Sequence, residues 1–175
     1  MTRAEYKETL NYELYRGKKY NLTNRLRIKY IQPNTNCMFM ARRMWHLYEM
    51  GGVYRLLSAH IYLRIIRKYG CCIYRNIKVG KGFFITHPIG IVIGKCTIGE
   101  NFTIYQNCTI GVKKYGDESL RKVPTIGNRV WLYTNSIICG DTRIADDVVI
   151  GANSIVTNDI LESGVYAGNP VAKIH

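Results

Sequence analysis

One histidine lies in a sequence context where an imidazole is able to do chemistry. His87 falls within Ile85–Gly94, a segment rich in isoleucine and glycine. We expect packing or surface roles for the other three histidines, because His46 and His60 fall in predicted helices and His175 is the last residue. An imidazole titrates near neutral pH, so it can take the proton of an attacking hydroxyl group. His87 is therefore the histidine to consider for chemistry.

The elements that position His87 are predicted by an apolar repeat with a period of six. A helix repeats its apolar stripe every 3.6 residues and a strand every two, so a period of six fits short strands that return after a fixed corner. A β-sandwich, the alternative, has strands at irregular spacings of roughly 8–12 residues. The repeated positions are Ile98, Ile104, Ile110, Ile126, Leu132, Ile138, Ile144, Ile150 and Val156.

Repeats of this kind resemble the hexapeptide repeats that form left-handed parallel β-helices, with three hexads in each coil. The sequence therefore predicts a mainly β fold, with the β-helix over residues 71–175. Val79, Ile85 and Ile91 continue the period of six before the register slips. The polar, charged stretch 112–125 interrupts the repeat, and we expect it to protrude as a loop. One coil further along the chain, Tyr105 or Gln106 is expected beside His87.

Residues 1–70 predict a basic α-helical segment ahead of the repeat. Thr2 and Glu5 form a capping-box pattern that opens the first helix, which Gly17 would close. A second helix is predicted over about 37–50, with Asn36 as its N-cap. A third helix is predicted over about 53–69, ending at Gly70. Its apolar residues at helical spacing, expected to face the core, are Val53, Leu56, Leu57, Ile61 and Ile65.

The net charge of +13 is concentrated in the leading segment. Residues 1–75 contain 15 Lys and Arg against 4 Asp and Glu, whereas residues 76–175 contain 10 against 8. This asymmetry predicts either a solvated basic face without a specific partner, or peripheral contact of the basic helices with anionic lipid headgroups or with a lipid-linked or acidic glycan. No nucleic-acid partner is expected. Without an apolar run that could span a membrane or act as a signal core, we expect a cytoplasmic protein.

The six cysteines predict reduced thiols rather than disulfides or a metal site. They lack zinc-like spacing. Cys96 and Cys108 fall two residues before repeat positions, where a thiol packs as a small apolar group. A β-helix metalloenzyme of the carbonic anhydrase kind needs three converging histidines, and only His87 lies within the repeat. No metal is expected.

The segment around His87 and the chain's final residues resemble the serine acetyltransferase branch of the hexapeptide acyltransferases. The matching stretches are Ile85–Gly94, Ile98–Gly111 and Ala167–Ile174. In that family, trimers bind acetyl-CoA in grooves between neighbouring β-helices, and a histidine at the place of His87 is the general base. The resemblance implies a homotrimer with acetyl-CoA as acyl donor. The residues that it assigns to CoA binding are Gly111, Thr134, Ala152 and Lys173.

This sequence departs from the family at the positions that hold the amino-acid acceptor. The family has an aspartate about fifteen residues before the histidine, where this chain has Cys72, and often another just before the histidine, where it has Thr86. The family's loop ends in Arg-His-Pro, and the matching residues here are Lys122, Val123 and Pro124. We therefore expect a different acceptor, bound by Cys72, Thr86, Tyr105, Gln106 and Lys122.

These observations predict an O-acetyltransferase that acts on a sugar or polysaccharide precursor of the capsule, O-antigen or exopolysaccharide type. Sugar hydroxyls need no carboxylate clamp, so the missing Arg-His pair is compatible with them. The first alternative is serine O-acetyltransferase, and the second is a β-helix that binds without catalysis. Against an ice-binding β-helix, Thr97, Thr103 and Thr109 recur at six residues and so lie on three different faces.

Overall fold

The computed structural model describes residues 2–15, 32–112 and 123–175. Within these ranges, three α-helices come first: α1 (Arg3–Leu10), α2 (Pro33–Met50) and α3 (Tyr54–Tyr69), with a π-helical turn at Asn11–Tyr15 after α1. Fifteen short strands follow in the same described parts of the chain. They are β1 (Cys72–Ile73), β2 (Lys78–Val79), β3 (Phe84–Ile85), β4 (Val92–Ile93), β5 (Thr97–Ile98), β6 (Thr103–Ile104), β7 (Thr109–Gly111), β8 (Thr125–Ile126), β9 (Trp131–Leu132), β10 (Ile137–Cys139), β11 (Arg143–Ile144), β12 (Val148–Ile150), β13 (Ile155–Val156), β14 (Gly164–Ala167) and β15 (Ala172–Lys173).

The described strands form three sheets, and as far as β13 each sheet takes every third strand. Face A contains β1, β4, β7, β10 and β13; face B contains β2, β5, β8 and β11; face C contains β3, β6, β9, β12, β14 and β15. Neighbouring strands are parallel throughout, except that β14 and β15 are antiparallel. The predicted left-handed parallel β-helix, mainly β and preceded by helices, is confirmed. Thr97, Thr103 and Thr109 lie on faces B, C and A.

The period of six arises because each repeated residue points into the coil. Ile104, Leu132 and Ile150 pair in sequence across face C and are fully buried. The corners between faces use a left-handed backbone, which asparagine tolerates better than most residues. Asn135 and Asn153 adopt φ of 59° there, and their side-chain amides bond to each other at 3.1 Å.

The first coils differ from the predicted register at one strand, where the stacked residue lies two residues later than predicted. Ile93, not Ile91, is the residue that stacks on Ile73 and Ile110 in face A. Ile91 lies two residues earlier, in the column that Cys108 occupies in the next coil, and it is buried there too. The turn 86–91 is two residues longer than the corresponding turn 105–108, and because both isoleucines are buried the period of six selected the wrong one.

The capping box of Thr2 and Glu5 is confirmed, with both hydrogen bonds present. The predicted end of the first helix, Gly17, lies outside the described residues. The predicted start of the second helix is wrong. Asn36 is not its N-cap but a buried residue inside α2, which begins at Pro33. Proline is favoured at the first helical position, since its fixed φ suits a helix and no amide donor is needed there.

The predicted core face of the third helix is wrong in part. Ile65 is fully buried and Gly70 ends α3 in a left-handed conformation, as expected. In contrast, Leu56 is 72% exposed, and Val53 and Leu57 are also exposed. The side of α3 that packs on α2 contains Ser58 and Ile65, and the Ser58 hydroxyl donates to the carbonyl of Met44 at 2.9 Å.

A buried ion pair joins the N-terminal turn to α2 and the first coil. The guanidinium of Arg42 donates to both carboxylate oxygens of Glu13, at 2.5–3.1 Å, and to the carbonyls of Val79 and Gly80. The same carboxylate accepts the backbone N–H of Phe83 at 2.8 Å. The helices and the coils therefore share one continuous core.

Of the helices in the described parts of the chain, none is long and apolar enough to cross a membrane.

Candidate functional site

His87 lies at the corner where the chain passes from face C to face A. The turn 86–91 connects β3 to β4 there, and in the following coils 105–108, 133–136 and 151–154 make the same turn. We name these turns the His87 corner. The imidazole is exposed, and no side chain among the described residues bonds to it. Pro88, which follows, is buried and anchors the turn.

The residues expected beside His87 do lie on the adjacent coil. Ile85 pairs with Ile104, so Tyr105 and Gln106 follow at the level of Thr86 and His87. The N–H and the hydroxyl of Thr86 both donate to the carbonyl of Ile104, each at 3.0 Å. Thr86 therefore helps to fix the backbone beside His87, and its hydroxyl proton is already used.

Gln106 contributes an unpaired acceptor to this corner. Its side-chain carbonyl oxygen, Oε1, is buried and has no hydrogen-bond partner within the described ranges. Its backbone carbonyl is well used, because it accepts from the Thr134 hydroxyl and from the N–H of Asn135, both at 3.2 Å. A buried acceptor without a donor is costly, so Oε1 marks a place where a donor from a ligand or from a rotated side chain would bind favourably.

Cys72 is the first residue of β1 on face A, close to the His87 corner. It pairs with Val92, which follows the turn that contains His87, and its side chain is half-buried. A thiol is a weaker hydrogen-bond donor than a hydroxyl and carries no charge in this form. It cannot reproduce what a carboxylate would do at the same place.

The structure does not bring the four residues expected to bind CoA to one place in a single chain. Thr134 and Ala152 lie on successive coils of the His87 corner. Gly111 ends β7 and pairs with Cys139, so it lies at the corner between faces A and B, on the other side of face A. Lys173 lies in β15 at the last coil of face C, where its ammonium bonds to Glu162 at 2.8 Å. That hydrogen bond raises the pKa of Lys173.

A groove of about 950 Å³ runs along the outside of face C and reaches the His87 corner at Thr86 and Tyr105. Its floor is formed by the residues that precede the inward residues of four strands: Phe84, Thr103, Trp131 and Val149. Tyr12, from the π-helical turn, covers one end, and its hydroxyl donates to the Asn101 side chain at 3.0 Å.

Some of the lining residues, among them Trp131, Arg129 and Asp147, were not predicted from the sequence. The Tyr105 and Tyr133 rings stack at 4.7 Å, and Trp131 lies 6.3 Å from Tyr133, so three aromatic rings adjoin the His87 corner. Burial and the neighbouring Tyr133 raise the pKa of Tyr105. Opposite them, Arg129 forms a bidentate pair with Asp147, which lowers the pKa of that carboxyl. An aromatic residue before or after an inward position is the signal that could have predicted this surface.

Lys122, the remaining residue expected to bind the acceptor, lies outside the described residues, as does most of the 112–125 loop. Val123 and Pro124, which follow it, are half-buried and buried. Within the described ranges, no cluster of three or more metal-ligating side chains occurs.

Part of the β-helix matches the model of a known protein family. The model of the bacterial transferase hexapeptide (six repeats) matches residues 124–158. Residues 124–158 therefore have the hexapeptide-repeat pattern, and the chain has a fold similar to that of serine acetyltransferases. The matched residues run from the buried Pro124 through β13, which means that the family model covers the most regular coils.

Serine acetyltransferases are among the curated proteins to which this chain is similar. That of Staphylococcus epidermidis is 38% identical over 118 residues, which cover 66% of this chain and 54% of the relative. That of Staphylococcus aureus is 39% identical over 102 residues, which cover 58% of this chain and 47% of the relative. The chain therefore spans about half the length of the curated relatives that it matches.

Solved structures share the whole architecture, helices included. The serine acetyltransferase of Neisseria gonorrhoeae superposes with a TM-score of 0.82 over 99% of this chain and 68% of the other, at 23% identity. A serine acetyltransferase in complex with CoA superposes with a TM-score of 0.68, over 80% of this chain and 56% of the other, also at 23% identity. Likeness at this identity supports the fold alone.

Proposed function

We propose that this protein is an acetyl-CoA-dependent O-acetyltransferase with His87 as its general base. The observation that supports this most is the similarity over 118 residues to serine acetyltransferases, together with an exposed histidine at the matching corner of the same fold. The acyltransferase reaction needs a base that reaches an acceptor hydroxyl, and His87 has no competing side-chain partner among the described residues.

The reaction follows from what an imidazole can do. His87 takes the proton of the acceptor hydroxyl as its oxygen attacks the carbonyl carbon of the thioester. The carbon–oxygen bond forms, the carbon–sulfur bond breaks, and the imidazolium returns the proton to the CoA sulfur. The products are the acetyl ester and CoA. Backbone N–H groups near Gly111 are the proposed donors to the oxyanion that develops on the carbonyl oxygen.

For both sets of proposed CoA residues to line one groove, two copies of the chain must face each other. Thr134 and Ala152 would come from one copy and Gly111 from its neighbour, since the width of face A separates them within one chain. A closed ring of three such contacts gives the proposed homotrimer. The CoA complex of a serine acetyltransferase with this fold supports acetyl-CoA as the donor.

Serine is the acceptor that the comparisons favour, in preference to the sugar predicted from the sequence. All the curated relatives described above are serine acetyltransferases. The chain would then make O-acetylserine, a precursor in cysteine biosynthesis. Lys122 and its loop would have to replace the family's arginine and histidine.

A sugar hydroxyl is the second candidate acceptor, and specific observations favour it. Cys72 and Val123 carry no charge for the ammonium or carboxylate of an amino acid. The aromatic rings of Tyr105, Tyr133 and Trp131 present flat apolar faces beside the His87 corner. A pyranose ring, with its C–H face, fits such a surface better than serine does.

An assay with a panel of acceptors distinguishes serine acetylation from sugar acetylation. CoA release from acetyl-CoA is followed with serine, with neutral hexoses and N-acetylhexosamines, and with nucleotide-linked sugars. Release with serine alone supports a serine acetyltransferase. Release with a sugar but not with serine supports the second candidate. If no acceptor raises CoA release and acetyl-CoA fails to bind in a titration, the proposal of an acetyltransferase is wrong and a binding β-helix becomes the better interpretation.

A further inference from the structure

The outward side of α3 is an unpaired surface that combines apolar and cationic residues. Leu56 and Leu63 are 72% and 46% exposed, and Val53 and Leu57 are exposed as well. Together with the exposed His60, Arg64 and Arg67, these positions recur every three or four residues and so form one side of the helix. We name this surface the outer α3 face, and define it by residues 53, 56, 57, 60, 63, 64, 67 and 68.

The charge of the outer α3 face has one sign. Residues 53–69 contain no Asp or Glu. Arg64, Arg67 and Lys68 are exposed near the end of the helix, and no acidic residue in the described ranges forms an ion pair with them. The opposite side of α3 is already used, because Ile65 and Tyr69 are buried in the core. Since nothing in the described ranges pairs with the charges of Arg64 and Arg67, the outer α3 face suits a partner that supplies negative charge and accepts leucine side chains.

We propose that the outer α3 face docks on an anionic lipid bilayer surface. A helix with leucines between arginines lies in the plane of the interface, with its apolar side chains between the headgroups and its cations against phosphate. A second copy of the chain fits less well. A two-fold contact would place Arg64 and Arg67 of one copy near the same arginines of the other copy, and residues 53–69 contain no carboxylate to neutralise them. The proposal does not rest on the acetyl-transfer reaction.

The test is co-sedimentation of the full-length chain with lipid vesicles. We expect binding to vesicles that contain phosphatidylglycerol, little binding to vesicles of phosphatidylcholine alone, and weaker binding as salt is added. In Arg64→Gln/Arg67→Gln, the affinity should fall about fivefold for each cation, and thus about 30-fold in all. Leu56→Ser/Leu63→Ser should also weaken binding, through loss of the apolar contact. All these positions are exposed, and thermal unfolding verifies that the variants fold.

A matched control removes two cations elsewhere. Lys78 and Lys95 are exposed on the coils, so Lys78→Gln/Lys95→Gln lowers the net charge equally without touching α3. Vesicle binding that falls only in the α3 variants supports the proposal. Equal loss in the control would mean attraction by net charge, which overturns it, as would no preference for phosphatidylglycerol. A smaller particle for Leu56→Ser/Leu63→Ser in sedimentation without lipid would instead make this face a contact between copies.

Discussion

The residue beside the proposed base that the structure leaves unexplained is Gln106. Its Oε1 atom is buried without a donor in the described parts of the chain, one coil away from His87. A polar atom in that state costs stability unless something supplies a hydrogen bond. We propose that the bound acceptor or the imidazole of His87 supplies this donor during the reaction, which would make Gln106 a positioning residue.

Gln106→Leu tests this assignment, because leucine keeps the size and removes the acceptor. We expect the free energy of unfolding to stay the same or rise slightly, while kcat falls about threefold to tenfold, the worth of one hydrogen bond. Urea unfolding and steady-state CoA release measure the two quantities. A variant that unfolds more easily but turns over normally would show that Oε1 has a structural role.

The sequence predicted which residues lie near one another where position along the repeat decides the matter. His87, Tyr105 and Gln106 lie on adjacent coils because three hexads return the chain to the same corner. It could not show that the Thr86 hydroxyl is used by the backbone, or that Trp131 and Tyr133 join Tyr105 in an aromatic surface. Those depend on which side chains point outward from neighbouring coils.

At the scale of elements, the corners of the coils depend on glycines that stack on one another. A Cβ added to Gly99 would lie 2.6 Å from the carbonyl oxygen of Gly127 in the next coil. The glycines therefore set how closely successive coils approach at the corner between faces B and C. Gly111, at the corner between faces A and B, has nothing within 4 Å of an added Cβ.

Gly99→Ala should therefore destabilise the protein by roughly 1–3 kcal/mol, the usual cost of overpacking. Gly111→Ala is the matched control, in which the added methyl meets open space, and we expect a change within about 0.5 kcal/mol. The comparison is made from the midpoints and slopes of urea unfolding. Equal stability of the two alanine variants would mean that the coils can separate at this corner without cost.

The helices depend on the buried pair of Glu13 and Arg42. Arg42→Met leaves the Glu13 carboxylate buried with the N–H of Phe83 as its remaining donor among the bonds described above. Removing one partner of a buried pair costs about 3–5 kcal/mol. Arg43→Met, at the exposed next position, should change stability by less than about 0.5 kcal/mol. Similar unfolding midpoints for the two variants would contradict a structural role for the pair.

The sequence predicted three helices and their order, but not how α3 is oriented. Its apolar residues lie on two sides, one around Ile65 and one around Leu56 and Leu63, and helical periodicity cannot tell which side packs on α2. The Glu13–Arg42 pair was missed for a related reason. The two residues are 29 positions apart in the sequence, and no local pattern links Glu13, in the π-helical turn after α1, to Arg42 in α2.

At the scale of the whole molecule, the proposed CoA site depends on two copies of the chain. Sedimentation is expected to give a trimer of the 20.1 kDa chain, and a stable monomer at micromolar concentration would contradict it. The spacing of residues showed that Gly111 and Thr134 belong to the repeat. The structure adds that these two residues lie at different corners, Gly111 between faces A and B and Thr134 between faces C and A.

Mixed trimers test whether the site is shared. Co-expressed His87→Ala and Gly111→Trp chains are each expected to be inactive alone, while about a quarter of the contacts in a random mixture would join two intact corners. CoA release should therefore return to about a quarter of the wild-type rate. Absence of any recovery, in trimers shown to be mixed, would place the site within one chain.

The central claim is that His87 removes the proton of the acceptor, and the turnover of His87→Ala tests it most directly. With the acceptor identified by the panel, this variant should lose about 10²–10⁴-fold in kcat, the usual contribution of a general base. Its affinity for acetyl-CoA, measured by titration, should stay close to that of the wild type. If His87→Ala keeps more than about a third of the wild-type turnover, well above the loss expected for a general base, His87 is not the base.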